Sequence, residues 1–129
     1  EAARRVGFMK AVFDTNIVID YLNGVPQSAD VIAAFQPAIV SRVSWIEVLA
    51  GVFRSPQERV VRAFLDSFQV AEITPEVAEA AIRLRVERRL RLPDALILAT
   101  AHAEGCLLLT RDTRDFSPAW PEIREPYRL

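Results

Sequence analysis

Short apolar runs alternate along the chain with longer segments in which apolar positions recur at helical spacing. Most of the short runs are continuous stretches of apolar residues, which is typical of strands buried on both faces. The predicted strands are 10–13, 38–41, 69–73, 106–110 and 123–124. The longer segments predict helices over 16–22, 28–35, 44–53, 56–68, 75–89 and 93–104.

Helix start and stop signals bound several of these segments. Ser55 and Glu58 have the spacing of a capping box, with Pro56 at the first helical position. Pro93 opens the last helix, and Gly105 occupies its C-cap place. Strands separated by helices predict an α/β fold with a mainly parallel sheet of about five strands. In such sheets the ligand crevice lies outside the carboxyl ends of the strands.

Composition narrows the class of protein. The chain has 129 residues, 51% of them hydrophobic and 26% charged, which is typical of one globular domain. A net charge of −1 provides no overall basic field for nucleic acid. The lone Cys106 excludes a disulfide framework and favours a cytoplasmic location, and no apolar run reaches the roughly 18 residues of a membrane span. Because Met9 precedes the first strand, we expect a single domain over 9–129 and a vector-derived or upstream extension over 1–8.

Carboxylates occur at strand ends and helix starts, where an α/β fold brings side chains together. Asp14 and Asp112 follow predicted strands, whereas Glu47 and Asp94 lie near the starts of apolar helices. A cluster of hard oxygen ligands suits Mg²⁺ or Mn²⁺. One cysteine and one histidine exclude a Cys/His zinc site, and the lone histidine falls off the face of the last helix that carries Asp94. The pattern therefore predicts an acidic metal site.

Each carboxylate also has a purely structural interpretation. Asp14 has the position of an N-cap for the helix near Asn16, and Glu47 has capping-box spacing from Ser44. Asp94 would pair favourably with a helix dipole, and the acids after the fourth strand suit turns. These alternatives stay open one by one. Together they explain less well why so many acids converge on one crevice.

Three sequence blocks resemble a known family. The blocks "VFDTNIVIDYL", "SWIEVLAG" and "PDALILATAHAEGCLLLTRDTRDF" look like the PIN domain, and more narrowly like the VapC-type toxins of bacterial toxin–antitoxin pairs. The resemblance extends from Met9 to about Phe116 and implies a three-layer α/β/α fold. It places the acidic catalytic and metal-binding positions of the family on Asp14, Glu47, Asp94 and Asp112.

The resemblance also implies supporting residues. Many family members have Asn at the fourth acidic position and Asp three residues later, so Asp112 and Asp115 are alternatives for that role. Thr15 and Thr110 match positions that carry a hydroxyl near the metal. Asn16 has no assigned role beyond starting the helix and offering supporting hydrogen bonds.

The implied activity is that of an endoribonuclease that depends on Mg²⁺ or Mn²⁺. The implied partners are RNA, a cognate VapB-type antitoxin and a second copy of the chain, with a higher assembly formed with the antitoxin. Arg42, Arg111 and Arg114 lie in the loops expected to rim the crevice and are candidates for RNA phosphate contacts, although solvated loop arginines are the alternative. The basic run 83–92 is either a solvated face or a surface for antitoxin or RNA.

Two other functions compete with this prediction. A non-catalytic PIN-like module would bind RNA or a protein, but such a module is expected to have lost part of the acidic set. A phosphoryl-transfer enzyme of another α/β fold would use Asp14 as nucleophile. Residue 16 is Asn instead of a second Asp, and Lys10, the only lysine, lies upstream of Asp14, so the sequence disfavours this third class.

Overall fold

Within residues 9–129, which the computed structural model describes, the chain forms five strands. The expectation for residues 1–8 lies outside this range. The strands are β1 Ala11–Phe13, β2 Ala38–Ser41, β3 Gln69–Ala71, β4 Leu107–Leu109 and β5 Ile123–Arg124. Their order is β3-β2-β1-β4-β5, and every neighbouring pair is parallel. The predicted α/β class is confirmed, and the sheet is wholly parallel.

Helices cover both faces of the sheet. They are α1 Thr15–Leu22, α2 Pro26–Ala33, α3 Arg42–Val52, α4 Glu58–Leu65, α5 Pro75–Arg88 and α6 Leu92–Glu104. Side chains alternate along β1, so Val12 packs with α5 and α6, while Ala11 and Phe13 pack with α1, α3 and α4. This is the predicted three-layer arrangement. None of the helices in residues 9–129 is both long and apolar enough to span a bilayer.

Three helices begin two residues from their predicted starts, and one of them is α3, which begins at Arg42 instead of residue 44. The predicted helix 56–68 begins at Glu58, because the expected capping box closes the preceding turn instead. Ser55 Oγ accepts the Gln57 N–H at 3.2 Å, and the Glu58 carboxylate accepts the Arg54 N–H at 2.8 Å. The predicted helix 28–35 begins two residues earlier, at Pro26, since proline suits the first helical turn.

The order of the strands creates a crevice at the end of β1. The chain runs from β1 to β2 and β3 on one side, and returns to place β4 on the other side of β1. The Asp14 N–H donates to the Leu109 carbonyl at 2.9 Å, so the ends of β1 and β4 stay paired up to the crevice. In parallel α/β sheets this switch point is where ligands bind.

The core of α6 offers a test of the layer arrangement. Replacing Leu98, which is fully buried between α6 and the sheet, with Ala is expected to lower the free energy of unfolding by about 3 kcal/mol, because a cavity remains. Val86 on α5 is 75% exposed, and its replacement by Ala is expected to change the same quantity by less than about 0.5 kcal/mol. Urea titration followed by circular dichroism measures both. Equal losses would contradict the packing described.

Candidate functional site

Asp14 both caps α1 and faces the crevice. It is the N-cap residue of α1, with an extended backbone, and Oδ1 accepts the Thr15 N–H at 2.8 Å. Oδ2 accepts the Thr110 hydroxyl at 2.7 Å. The side chain is buried beyond the end of β1. The capping interpretation of Asp14 is therefore correct, and the cap also places one carboxylate oxygen toward the loop after β4.

Thr110 and Asn16 join Asp14 to that loop. The Thr110 hydroxyl accepts the Asp112 N–H at 2.9 Å while it donates to Asp14. The Asn16 amide nitrogen lies 3.3 Å from both Asp14 Oδ2 and Thr110 Oγ1. Its amide oxygen accepts the Arg111 N–H at 3.2 Å. These contacts fix the first residues of the loop relative to α1, and they give Asn16 the supporting hydrogen bonds that the sequence left open.

Three carboxylates lie together at the crevice. One oxygen from each of Asp94, Asp112 and Asp115 lies within 4.8 Å of the other two, and all three residues are half-buried. Asp112 Oδ1 also accepts the N–H groups of Arg114 and Asp115, at 3.1 Å each, so its turn role is real as well. Both alternatives for the fourth acidic position therefore lie in this acidic cluster, and neither displaces the other.

Burial and mutual repulsion make two of the acids reluctant to ionise. Burial raises the pKa of Asp14 to about 6, despite hydrogen bonds from Thr110 and Thr15, and the charges of Asp94 and Asp112 add to the rise. Burial also raises the pKa of Asp94 to about 6, with a further contribution from Asp115 and an opposing one from Arg91. Carboxylates in such surroundings favour a bound cation, because its positive charge stabilises the ionised form that burial and repulsion disfavour.

Asp94 carries an oxygen that no described residue satisfies. Asp94 Oδ2 is buried and has no hydrogen-bond partner in the part of the chain that the structure describes. The Arg91 guanidinium lies 3.8 Å from it and 3.0 Å from Asp115 Oδ2, on a side chain that is 79% exposed. An unsatisfied buried carboxylate oxygen is costly, and a divalent cation with oxygen ligands removes that cost. The donors present therefore fit Mg²⁺ or Mn²⁺.

Glu47 lies at the exposed rim of the crevice. Thr15 Oγ1 lies 2.6 Å from Glu47 Oε1 and 2.9 Å from Ser44 Oγ. Helix α3 begins at Arg42 with Ser41 as its N-cap, so Ser44 and Glu47 both lie within the helix. The interpretation of Glu47 as a capping-box residue is therefore wrong. Its carboxylate is instead joined to α1 through the Thr15 hydroxyl.

The three arginines proposed for RNA differ in their surroundings. Arg42 Nε donates to Glu72 at 2.9 Å at the end of β3. Arg111 directs its guanidinium to Asp20, which is buried on α1. Arg114 is exposed on the loop after β4 and keeps its side chain at the surface. Of the three, Arg114 is the most accessible to a phosphate near the acidic cluster.

Several residues of this region were not singled out from the sequence. They are Asp20, Arg91 and Tyr127. For Asp20 a signal was available, because a carboxylate interrupts the apolar run of α1 and must find a partner. Arg91 lay within the basic run but had no feature that set it apart from its neighbours. The contact of Tyr127 with Asp20 depends on packing between distant segments.

Comparisons with known proteins support the same fold and family. The family model of the PIN domain matches residues 11–119. The chain is 32% identical over 127 residues to ribonuclease VapC19 of Mycobacterium tuberculosis. The alignment covers 90% of this chain and 98% of that protein. A chain of a toxin–antitoxin complex from Klebsiella pneumoniae is 38% identical with a TM-score of 0.86, covering 92% of this chain and 99% of that one.

A more distant structure is similar in fold alone. A chain of FitAcB from Neisseria gonorrhoeae has a TM-score of 0.77 at 20% identity, covering 92% of this chain and 99% of that one. These matches confirm the resemblance drawn from the three sequence blocks.

The raised pKa of Asp94 predicts a pH-dependent effect on stability. Its folded-state pKa is about 6 instead of 3.8, so ionisation destabilises the metal-free fold progressively between those pH values. Replacing Asp94 with Asn is expected to raise the free energy of unfolding by roughly 1 kcal/mol at pH 7.5, after allowance for solvent screening, and to have little effect near pH 4. Urea unfolding in EDTA at both pH values measures the difference.

The control for this experiment is Asp30→Asn, which changes an exposed carboxylate on α2. It is expected to leave the stability nearly unchanged at both pH values. An Asp94→Asn variant that is no more stable than the wild type at pH 7.5 would contradict the electrostatic description of the cluster.

Proposed function

The chain belongs to the PIN-domain family, and we propose that it is a metal-dependent endoribonuclease that acts as the toxin of a VapBC-type toxin–antitoxin pair. The observation that carries the proposal is the acidic cluster of Asp94, Asp112 and Asp115, with an Asp94 oxygen that no described residue satisfies. The similarity to a ribonuclease over nearly the whole chain supports the same activity. Residues 9–129 act in this proposal as one domain.

The acidic residues hold a divalent cation, Mg²⁺ or Mn²⁺, in this proposal. Asp94, Asp112 and Asp115 offer oxygens close enough to share one ion, and Asp14 adds negative charge from the end of β1. Such an ion, when bound, activates water and supplies positive charge for phosphodiester hydrolysis. The buried hydroxyl of Thr110 donates a hydrogen bond to Asp14 and keeps that carboxylate oriented.

Residues at the rim complete the proposed mechanism. Glu47 is exposed, and the contact with Thr15 orients its carboxylate, so we assign to it the acceptance of a proton from the attacking water. Arg114, exposed beside the cluster, contacts a phosphate of the RNA strand. The remaining arginine candidates, Arg42 and Arg111, contribute through their ion pairs, which shape the two sides of the crevice.

The proposed partners are a cognate VapB-type antitoxin and a second copy of the chain. The Klebsiella pneumoniae structure, which is 38% identical, is of a toxin–antitoxin complex. Exposed apolar side chains on α3, on α4 and between them provide a surface for a partner: Ile46 is 52% exposed, Phe53 59% and Val60 68%. We place this assembly, homodimer and antitoxin together, in the bacterial cytoplasm.

The alternative of a non-catalytic binding module receives less support. Such a module has no use for three carboxylates held within 4.8 Å of one another, since their repulsion costs stability. In this chain every acidic position of the family pattern is occupied, and Asp115 adds a further carboxylate.

Removal of the acids or of the metal tests the proposed activity. Asp14→Asn and Asp94→Asn are each expected to lower metal-dependent RNA cleavage by more than about 100-fold, because charge that binds the ion is lost. EDTA is expected to abolish cleavage, and added Mn²⁺ or Mg²⁺ to restore it. Cleavage of a fluorescent RNA by purified protein, with circular dichroism to verify folding, gives the measurement.

The matched control for the cleavage assay is Asp66→Asn, which alters an exposed carboxylate at the end of α4. It is expected to cleave at the wild-type rate. Wild-type cleavage by folded Asp94→Asn would overturn the site assignment, and cleavage that persists in EDTA would overturn the role of the metal.

Arg91 provides a test of where the cation binds. Its guanidinium neutralises part of the charge of Asp94 and Asp115 in the absence of metal, so it competes with a divalent ion. Arg91→Ala is expected to tighten Mn²⁺ binding by up to about fivefold, since an exposed ion pair is worth no more than about 1 kcal/mol. Isothermal titration calorimetry measures the affinity.

Arg83→Ala removes the same charge from an exposed site on α5 and is the control for net charge. Its Mn²⁺ affinity is expected to stay near that of the wild type. An affinity that is unchanged or weaker in Arg91→Ala would show that the ion does not bind beside this guanidinium.

A further inference from the structure

Asp20 is a buried carboxylate of α1 that lies outside the acidic cluster. It is 5% exposed and lies on the helix that Asp14 caps. A buried carboxylate needs a cation or several hydrogen-bond donors to offset its desolvation. The chemistry proposed above makes no use of Asp20, so its partners indicate what it contributes.

Asp20 joins three segments that are far apart in the chain. Arg111 donates to it through two nitrogens, Nε to Oδ2 at 2.6 Å and Nη2 to Oδ1 at 2.8 Å. The Tyr127 hydroxyl donates to Oδ2 at 2.7 Å. Burial opposes ionisation, but the hydrogen bonds from Arg111 and Tyr127 bring the pKa of Asp20 below its ordinary value. Helix α1, the loop after β4 and the segment after β5 therefore meet at one ionised carboxylate.

Arg111 stands between two residues of the candidate site. Its neighbours in the chain are Thr110, which binds Asp14, and Asp112, which belongs to the acidic cluster. The backbone of Arg111 is held as well, because its N–H donates to Asn16 on α1. The loop after β4 is thus attached to α1 by backbone and side chain at the same residue.

This attachment opposes the repulsion within the acidic cluster. Asp112 and Asp115 lie on the loop, whereas Asp94 lies on α6, and the like charges favour moving the loop away. A bidentate guanidinium–carboxylate pair resists such movement because both its distance and its orientation are specified. A loop that is already in place loses less freedom when a cation binds, so the affinity is higher.

We propose that Asp20, Arg111 and Tyr127 form a clamp that positions the loop 111–115 for divalent-cation binding, an inference that rests on the proposed metal-dependent function. The three are positioning residues, because their contacts reach the acidic cluster only through the loop. The clamp makes the cation affinity of the site depend on a hydroxyl that comes from the segment after β5.

Asp20→Asn tests the clamp with little change of shape. Its Mn²⁺ affinity, measured by calorimetry or electron paramagnetic resonance, is expected to fall by about 10- to 100-fold, as for other groups that orient metal ligands. At saturating Mn²⁺ the kcat is expected to recover, with KM for RNA unchanged, because the loop is then held by the ion. A general loss of folding does not produce this combination of a lowered Mn²⁺ affinity and a kcat that recovers at saturating Mn²⁺.

Tyr127→Phe is the second variant, and it keeps the ion pair while deleting one hydroxyl. It is expected to weaken Mn²⁺ binding by about 3- to 10-fold, less than Asp20→Asn. Should Asp20→Asn fail to fold, this variant decides the question. The clamp is overturned if both folded variants bind Mn²⁺ with wild-type affinity. If Asp20→Asn does not fold, wild-type affinity in Tyr127→Phe alone overturns it.

Glu122→Gln is the matched control. Glu122 is also a half-buried carboxylate, 16% exposed, and it pairs with Arg88 at 3.1 Å and with His102 at the far end of α6. Its replacement is expected to lower the melting temperature but to leave Mn²⁺ affinity unchanged. An equal loss of affinity in Glu122→Gln overturns the clamp, since the effect would then be one of general stability.

The same titrations separate the clamp from the proposed function. If the wild type binds Mn²⁺ and Asp20→Asn binds it equally well, the clamp alone fails. If the wild type binds Mn²⁺ in a clamp-dependent way but cleaves no RNA, the nuclease function fails and the clamp stands. If the wild type binds no Mn²⁺, both fail.

Discussion

Repulsion among carboxylates at one edge of a parallel sheet is the constraint around which this structure is organised. Parallel strands end on the same side, so acids that follow β1 and β4 are brought together with the acid at the start of α6. Burial raises the pKa of Asp14 and of Asp94 to about 6, and repulsion from the neighbouring acids adds to the rise. Hydrogen-bond donors from the backbone and from Thr110 offset part of this cost, while one oxygen of Asp94 has no hydrogen-bond partner among residues 9–129.

The acids of the region fall into two groups with different surroundings. Asp14, Asp20 and Asp112 accept hydrogen bonds from side chains or backbone and thereby hold segments of the chain in place. Among residues 9–129, the ion-pair partner of Asp94 and Asp115 is Arg91, an arginine at the surface. The first group builds the crevice and the second leaves charge available in it. A chain with a modest overall charge can therefore concentrate a strong local field where a cation is needed.

Much of the fold could be predicted because its signals are local. Apolar runs indicated the strands, and Pro93 and Gly105 bounded the helix that the structure assigns to Leu92–Glu104. The start of α4 was missed because Glu58 accepts the Arg54 N–H of the preceding turn instead of the Ser55 N–H that a capping box would use. Local rules cannot distinguish the two, since the same Ser and Glu at the same spacing allow either arrangement.

The candidate site was only partly predictable, for a different reason. The acidic residues have recognisable places at strand ends and helix starts, and the structure brings most of them together. Their supporting contacts link residues that are distant in sequence: Arg111 and Asp20 are 91 positions apart, and Tyr127 and Asp20 are 107 apart. No periodicity or spacing encodes such pairs. They follow from the direction in which packed elements present their side chains.

The position of β4 beside β1 has a consequence for the order in which the protein is made. Thr110 and Asp14 are 96 positions apart, yet they are hydrogen-bonded neighbours. A ribosome has therefore released β1, β2, β3 and all six described helices before the strand that completes the crevice emerges. Until then β1 has an open edge, and the acids of the loop are missing. Competence to bind a cation therefore arises only after the loop that follows β4 has emerged, and until then the nascent chain lacks two of the acids of the proposed nuclease site.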